Sequence, residues 1–143
     1  MTDFKLVISD PKAKRAYQIE VKSPDADRFL GLKIGEKVRG ETINLHGFEF
    51  QITGGSDKQG FPMRKDISGT RRIKAFIGHG VGLREAERGE YRRRSVRGNQ
   101  ISEDTAQINM ILIKHGEKSL AAALGKEEKK PVEGEVAKKE GSA

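Results

Sequence analysis

The distribution of apolar and polar positions along the chain is mostly that of short β-strands. The apolar run Phe4–Ile8 ends at the turn pair Asp10-Pro11, and residues 17–21 then alternate apolar with polar side chains. This arrangement predicts a hairpin. Residues 37–39 are a weak strand candidate, whereas residues 48–52 alternate cleanly up to a pair of glycines.

Three further strand candidates lie in the second half of the chain. In residues 72–77 the odd-numbered positions are apolar, and the even-numbered ones are Arg, Lys and Phe. Residues 92–96 form a basic strand candidate bounded by glycines. Residues 106–113 carry bulky apolar side chains on both faces, which predicts a central strand that is covered on both sides.

Helical signals are few. Residues 23–25 (Ser-Pro-Asp) combine an N-cap, a proline suited to the first helical position and an acidic first turn, but Gly31 limits this helix to one or two turns. We therefore predict a mostly β fold, a small single-domain β-barrel or sandwich of about six short strands with one short helix and a disordered C-terminal tail.

The domain boundary is expected near residue 124. Residues 1–124 form the predicted β-barrel-like domain, and residues 125–143 form a Lys/Glu tail without periodic apolar positions, which is typical of disorder. The chain has no Cys, which excludes a disulfide scaffold and a thiolate zinc site. It has no N-terminal signal pattern and no apolar run of the roughly 18 residues that a membrane span needs, so we expect a cytoplasmic protein that binds no membrane.

Positive charge is concentrated between Lys58 and Arg97. Residues 58–97 hold twelve Lys/Arg against four Asp/Glu, while the rest of the chain is close to neutral and the formal net charge is +7. A localised basic patch favours a polyanionic partner. Most of these cations are Arg, whose planar guanidinium binds phosphate through two parallel hydrogen bonds. A solvated surface would normally mix Lys with Glu, so we expect nucleic-acid binding.

Folded or double-stranded RNA fits this patch better than stacked single strands, because no segment has the aromatic-rich strands of an RRM. We predict that Gly54–Met63 is a glycine loop, because its glycines permit positive φ and close backbone approach to a phosphate ribbon, and Lys58 and Gln59 supply donors between them. The candidate RNA-binding residues are Gly54, Gly55, Lys58, Gln59, Gly60, Arg71, Arg72, Lys74, Arg88, Arg92, Arg93, Arg94 and Arg97.

Two glycine patterns that bind nucleotides elsewhere fail here. Residues 55–60 have the glycine spacing of a P-loop, but Phe61 and Pro62 stand where that motif needs Lys and then Ser or Thr. Residues 78–83 have the start of a dinucleotide fingerprint, but Leu83 stands where the third glycine should be. We therefore predict no cofactor and no small-molecule substrate.

The histidines give no metal site. His46, His79 and His115 are scattered singly, without the spacing of metal ligands. Asp57, His79 and Ser95 could be combined into a triad, but most proteins of this size contain such a set. A small hydrolytic enzyme built around Asp57 and His79 is therefore kept only as an alternative to a non-catalytic protein.

Three runs in order, Ile52–Met63, Tyr91–Gly98 and Lys114–Lys118, resemble the S6e family of small-subunit ribosomal proteins of archaea and eukaryotes. The similarity covers roughly Phe4–Leu124. It implies a β-barrel-like domain bound to small-subunit ribosomal RNA beside neighbouring ribosomal proteins, which is a structural role in translation without catalysis.

The short tail makes the chain similar to archaeal members of that family. Eukaryotic members continue into a long basic helix with regulated serines, whereas residues 125–143 contain the single serine Ser142. The alternative within nucleic-acid binding is a free RNA-binding or ribosome-assembly factor.

Overall fold

The computed structural model describes residues 2–125, which are mostly β, as predicted. The strands are β1 (Asp3–Asp10), β2 (Arg15–Lys22), β3 (Lys37–Arg39), β4 (Glu49–Asp57), β5 (Arg72–Ile77), β6 (Arg92–Arg97) and β7 (Thr105–Lys114). Two 3₁₀ segments, Asp25–Phe29 and Gly40–Ile43, and one helical turn, α1 (Leu120–Ala123), complete the described part. Seven strands are thus found where about six were expected. The predicted disordered tail lies, from residue 126 onward, outside the described residues.

Five strands form a mixed sheet in the order β2-β1-β7-β4-β3. The predicted first hairpin is confirmed, with Phe4 opposite Val21 and Ile8 opposite Tyr17 in the antiparallel β1–β2 pair. Strand β7 is central, as predicted, and lies parallel to β1 and antiparallel to β4. The second sheet is the antiparallel β5–β6 hairpin.

The large sheet is open, so the expectation of a barrel is wrong in this respect. Closure needs the two edge strands to hydrogen-bond to each other. Within residues 2–125, β2 pairs with β1 alone and the three residues of β3 pair with β4. The sheet therefore ends in two edge strands, β2 and β3, that do not pair with each other in this part of the chain.

The main core lies on one face of this sheet. Alternate residues of β1, β4 and β7, such as Leu6, Phe50 and Ile108, are buried there beneath Phe29 and other apolar side chains. The opposite face of β7 is only partly covered, and Ile113 is exposed. The prediction that β7 is covered on both sides is therefore wrong, because its second face carries half-buried polar residues among the apolar ones.

The short helix predicted after residue 23 is the 3₁₀ segment Asp25–Phe29. Its start differs from the prediction, because Ser23 donates its hydroxyl to the Asp27 carboxylate and provides no backbone cap. Within residues 2–125 no helix is both long and apolar enough to cross a bilayer.

A second, much smaller hydrophobic cluster lies on one side of the β5–β6 hairpin. It consists of Ile77, Leu83 and Val96, with Ile73 and Ala75 among the partly buried residues beside it. The apolar alternation of β5 thus points at this cluster. The other side of the hairpin, called the outer face below, carries Arg72, Lys74 and Phe76 of β5 and, opposite them, Arg97, Ser95 and Arg93 of β6.

Candidate nucleic-acid interface

The two glycines at positions 54 and 55 lie in a strand. Strand β4 continues through them, with Gly54 opposite Asn109 and Gly55 opposite Ile108 of β7. Neither glycine has a positive φ. The prediction that they begin a glycine loop is therefore wrong at these two positions, because pairing with β7 keeps the backbone extended.

Gly55 is required by packing. A Cβ at this position would lie 2.4 Å from the carbonyl oxygen of Gln107 and 3.1 Å from the sulfur of Met63. At Gly54 the space is open, with no atom within 4 Å of an added Cβ. Gly60, in contrast, has φ +87°, so the positive φ that we expected at this glycine is confirmed.

The loop itself is the tight turn of residues 58–62, which Asp57 organises. One carboxylate oxygen, Oδ1 of Asp57, accepts hydrogen bonds from the backbone N–H of Gln59 (3.0 Å) and of Phe61 (2.8 Å). The N–H of Arg97 donates to the carbonyl of Pro62 at 2.8 Å. The turn is thereby fixed at its start by Asp57 and at its end by β6.

The second oxygen of Asp57 holds two arginines. Oδ2 accepts from Nε of Arg97 (3.1 Å) and from Nη2 of Arg72 (3.0 Å). Arg97 also donates from Nη1 to the carbonyl of Thr70 and from Nη2 to Asp104. These residues, Asp57, Arg72, Arg97 and Asp104, are called the Asp57 cluster below, and they join the end of β4 to both strands of the hairpin.

The environment of Asp57 keeps it ionised. Burial opposes the charged form, but the hydrogen bonds from the Phe61 N–H and from the guanidinium groups of Arg97 and Arg72 outweigh it. The pKa of the Asp57 carboxyl therefore lies below its ordinary value. The ionised carboxylate provides the negative charge that the two converging arginines need for compensation.

Arg72 and Arg97 thus donate hydrogen bonds to other groups of the protein. The side chain of Arg97 is only 10% exposed, and its donors point at protein acceptors. Arg72 lies over the Phe61 ring, with its guanidinium carbon 4.5 Å from the centroid, and donates to Oε1 of Gln59 at 2.6 Å. The structure gives both arginines, and the Gln59 oxygen, a role in positioning the turn.

The other predicted cations of β5 and β6 are exposed and lie on both sides of the hairpin. Lys74 and Arg93 are on the outer face, whereas Arg92 and Arg94 oppose Ile77 and Ala75 and project from the other side. Arg92 is paired with Glu90. In the part of the chain that the structure describes, no acidic group pairs with Lys74, Arg93 or Arg94.

The other predicted site residues lie close to the hairpin in sequence but outside its strands. Lys58 is exposed in the turn, Arg71 directly precedes β5, and Arg88 is exposed in the segment before β6. Gly60 of the turn is also exposed.

The turn and the hairpin cations border a common depression. A shallow cavity of about 550 Å³ is lined by Phe61 and Pro62 of the turn and by Lys74, Arg93 and Arg94 of the hairpin, together with Gly82 and Ser95. Strand β6 has no strand partner on this side along residues 92–96 among those described. The structure therefore brings together the turn and the basic strand that lie about thirty residues apart in the sequence.

Phe76 and Tyr91 were missed as functional candidates. Their rings stack with centroids 5.6 Å apart and an interplanar angle of 25°, yet Phe76 is 68% and Tyr91 60% exposed. The signal in the sequence was that Phe76 occupies the polar side of an alternating strand.

The role of Asp57 was missed as well, because its partner Arg97 is forty residues away.

The geometry gives no support to a hydrolytic centre. Both oxygens of Asp57 are engaged by backbone N–H groups and arginines, so this carboxylate is not free to orient His79. His79 is exposed beyond the end of β5. Residues 2–125 contain no group of three His, Cys, Asp or Glu side chains that could hold a metal ion.

Comparison with known proteins identifies the family of the chain. The family model of ribosomal protein S6e matches residues 4–125. The chain is 45% identical over 130 residues to the small ribosomal subunit protein eS6 of Methanocella arvoryzae, an alignment that covers 91% of this chain and 92% of the relative. It is 46% identical over 125 residues to that of Methanothermobacter thermautotrophicus, covering 87% and 98%. For that of Methanocaldococcus jannaschii the identity is 44% over 127 residues, covering 89% and 95%. The chain belongs to the ribosomal protein S6e family.

Proposed function

We propose that this chain is a structural component of the small ribosomal subunit in the cytoplasm, where it binds folded ribosomal RNA and contacts neighbouring ribosomal proteins. Its membership of the S6e family and the naming of its archaeal relatives as small ribosomal subunit proteins support the ribosomal role. The RNA contact is supported by the chain's own charges.

The observation that carries RNA binding is the group of exposed cations on the β5–β6 hairpin. Lys74, Arg93 and Arg94 have no acidic partner in the described chain and border one cavity beside the turn. Unpaired cations held on one rigid element raise the local concentration of phosphate, and each phosphate contact releases counterions from the RNA. We call Lys74, Arg93 and Arg94 the hairpin cations.

Cations on both sides of the hairpin favour a folded RNA over an isolated strand. Lys74 and Arg93 lie on the outer face, and Arg92 and Arg94 project from the other. A two-stranded ribbon with this distribution can reach two phosphate backbones at once. Two closely spaced backbones occur in folded or double-stranded RNA, which proteins recognise mainly by shape and phosphate position.

The other predicted residues divide by what surrounds them. In our proposal Lys58, Arg71, Arg88 and Arg92 add peripheral phosphate contacts, and Gly60 lets the backbone of the turn approach the RNA. Arg72, Arg97 and Gln59 hold the turn and the hairpin in place. Gly54 and Gly55 belong to the sheet, and their contribution is to the path of β4.

Sedimentation of a cell lysate on a sucrose gradient tests the proposal. The chain should migrate with small subunits through a moderate salt wash. The variant Lys74→Ala/Arg93→Ala/Arg94→Ala should be released by the same wash, because it lacks three phosphate contacts.

The matched control is Lys12→Ala/Arg15→Ala/Lys22→Ala, which removes the same charge from exposed positions on the β1–β2 hairpin. It should stay with the subunit. Release of the unaltered chain in the wash would indicate an assembly factor instead, and a chain that never enters the small-subunit peak would contradict a ribosomal role altogether.

A further inference from the structure

The stacked pair of Phe76 and Tyr91 is the largest exposed aromatic surface in the described chain. Both rings are more than half exposed, although aromatic side chains normally bury most of their area. The small cluster on the other side of the hairpin does not include either ring. The pair therefore does nothing for the core, and its outer ring surface is available to a ligand.

The position of Tyr91 is fixed by the backbone beneath it. An added Cβ on Gly78 would lie 3.0 Å from Cε1 and 3.3 Å from Cδ1 of the Tyr91 ring. The ring thus lies directly against the bare backbone at Gly78 and against Phe76. A ring held between a glycine and a second ring is oriented before any ligand arrives, which lowers the entropic cost of binding.

The charges around the pair are positive. Arg93 is directly opposite Phe76 in the hairpin, and Lys74 lies two residues before Phe76 on the same outer face. Neither cation has an acidic partner in residues 2–125. An aromatic surface between two unpaired cations matches the chemistry of a nucleotide, which has a flat base flanked by phosphates.

We propose that the Phe76–Tyr91 pair receives one unpaired base of the bound RNA by stacking, while Arg93 and Lys74 contact the phosphates on either side of it. This inference rests on the proposed RNA binding and adds the kind of RNA feature that is bound, a bulged or looped-out base within a folded region. It adds the stacking of one base to the expectation that folded RNA is bound in preference to stacked single strands. A protein partner is disfavoured, because an apolar partner surface would have to cover Arg93 and Lys74 without supplying counter-charges.

Three short RNA duplexes test the proposal with the full chain. The first carries a single bulged 2-aminopurine, the second an abasic bulge at the same place, and the third is fully paired. The unaltered chain should bind the first about tenfold more tightly than the second, because stacking of a base on an aromatic ring contributes on that order. The fluorescence of 2-aminopurine should fall on binding, since stacking quenches it.

Two matched variants separate ring stacking from simple burial. Phe76→Leu/Tyr91→Leu keeps the charges and much of the apolar bulk, and it should bind both bulged duplexes equally well. Phe76→Tyr/Tyr91→Phe keeps two rings and should retain the tenfold preference, which also shows that changes at these exposed positions leave the fold intact.

Equal binding of the two bulged duplexes by the unaltered chain would overturn the stacking proposal, as would a leucine variant that keeps the preference. Either result leaves the proposed phosphate contacts standing if the fully paired duplex is still bound in a salt-dependent way. Failure of all three duplexes to bind with salt dependence would instead remove the proposed RNA binding itself, and the stacking proposal with it.

Discussion

The five-stranded sheet and the β5–β6 hairpin are stabilised by different interactions. The sheet has a continuous apolar core in which Phe4, Phe29 and Phe50 are almost fully buried. The hairpin has three buried apolar residues of its own and is joined to the end of β4 through the Asp57 cluster. Polar contacts thus orient the part of the molecule that carries the hairpin cations, and hydrophobic burial stabilises the five-stranded sheet.

Replacing a buried isoleucine by alanine in the sheet and in the hairpin should give the largest difference in the free energy of unfolding. Ile108→Ala removes a fully buried side chain from the centre of the sheet and should lower the free energy of unfolding by about 4 kcal/mol. Ile77→Ala in the small cluster should cost nearer to about 2 kcal/mol, because neighbouring side chains at its edge can collapse into the space. Urea denaturation measures both, and equal losses would show that the hairpin is packed as well as the sheet.

Loss of charge at Asp57 should be nearly as costly. Asp57→Asn keeps the shape but places an amide N–H₂ group or an uncharged oxygen against Arg72 and Arg97, which leaves the buried Arg97 paired with the largely exposed carboxylate of Asp104 and without a buried counter-charge. We expect a loss of about 3 kcal/mol in urea denaturation.

The matched control is Asp66→Asn, which breaks the ion pair with Arg64 at the surface. It should cost about 0.5 kcal/mol or less, because the Asp66 carboxylate is largely exposed to solvent. Similar losses for the two variants would contradict the central position given to the Asp57 cluster.

Alanine substitutions at the adjacent glycines of β4 should have a smaller effect on stability. Gly55→Ala drives a methyl group into the Gln107 carbonyl and should cost about 2 kcal/mol, whereas Gly54→Ala enters open space and should change stability by less than about 0.5 kcal/mol. Thermal unfolding of the two variants compares them. If both were neutral, residues 54 and 55 would be a loop after all.

The free energy of unfolding should depend on pH through the titration of Asp57. Its pKa is lowered in the folded protein, so its contribution is fully present above the unfolded value near 3.8 and is lost as the pH falls through the folded value. The difference in unfolding free energy between the unaltered chain and Asp57→Asn should be constant above about pH 5 and shrink below about pH 4. A difference that persists unchanged into acid would mean that the carboxylate charge is not what stabilises the cluster.

Most of the strands were predictable from their hydrophobic pattern. Alternation with a period of two predicted β2, β4 and β5 and placed Phe76 on the polar side of β5, whereas apolar runs predicted β1 and β7. The same period implies that consecutive arginines point to opposite sides of a strand. The sequence alone therefore predicts that Arg93 projects from the opposite side of the hairpin to Arg92 and Arg94.

Contacts between distant segments were not predictable. Asp57 was weighed as a catalytic acid because nothing near it in sequence indicates that Arg97 lies against it. Gly54 and Gly55 indicated a loop because glycine permits a positive φ, and only pairing with β7 shows why Gly55 must lack a side chain there. The strand order, which leaves β2 and β3 at the two edges of the sheet, was not predictable for the same reason.

The most direct test of the account is the salt dependence of binding to small-subunit ribosomal RNA. If the β5–β6 hairpin binds the RNA, Lys74→Ala/Arg93→Ala/Arg94→Ala should make the slope of log affinity against log salt concentration shallower by about three units, roughly one for each lost phosphate contact. The control Lys12→Ala/Arg15→Ala/Lys22→Ala should leave the slope unchanged. Equal slopes for the two triple variants would contradict the claim that the β5–β6 hairpin is the RNA-binding region.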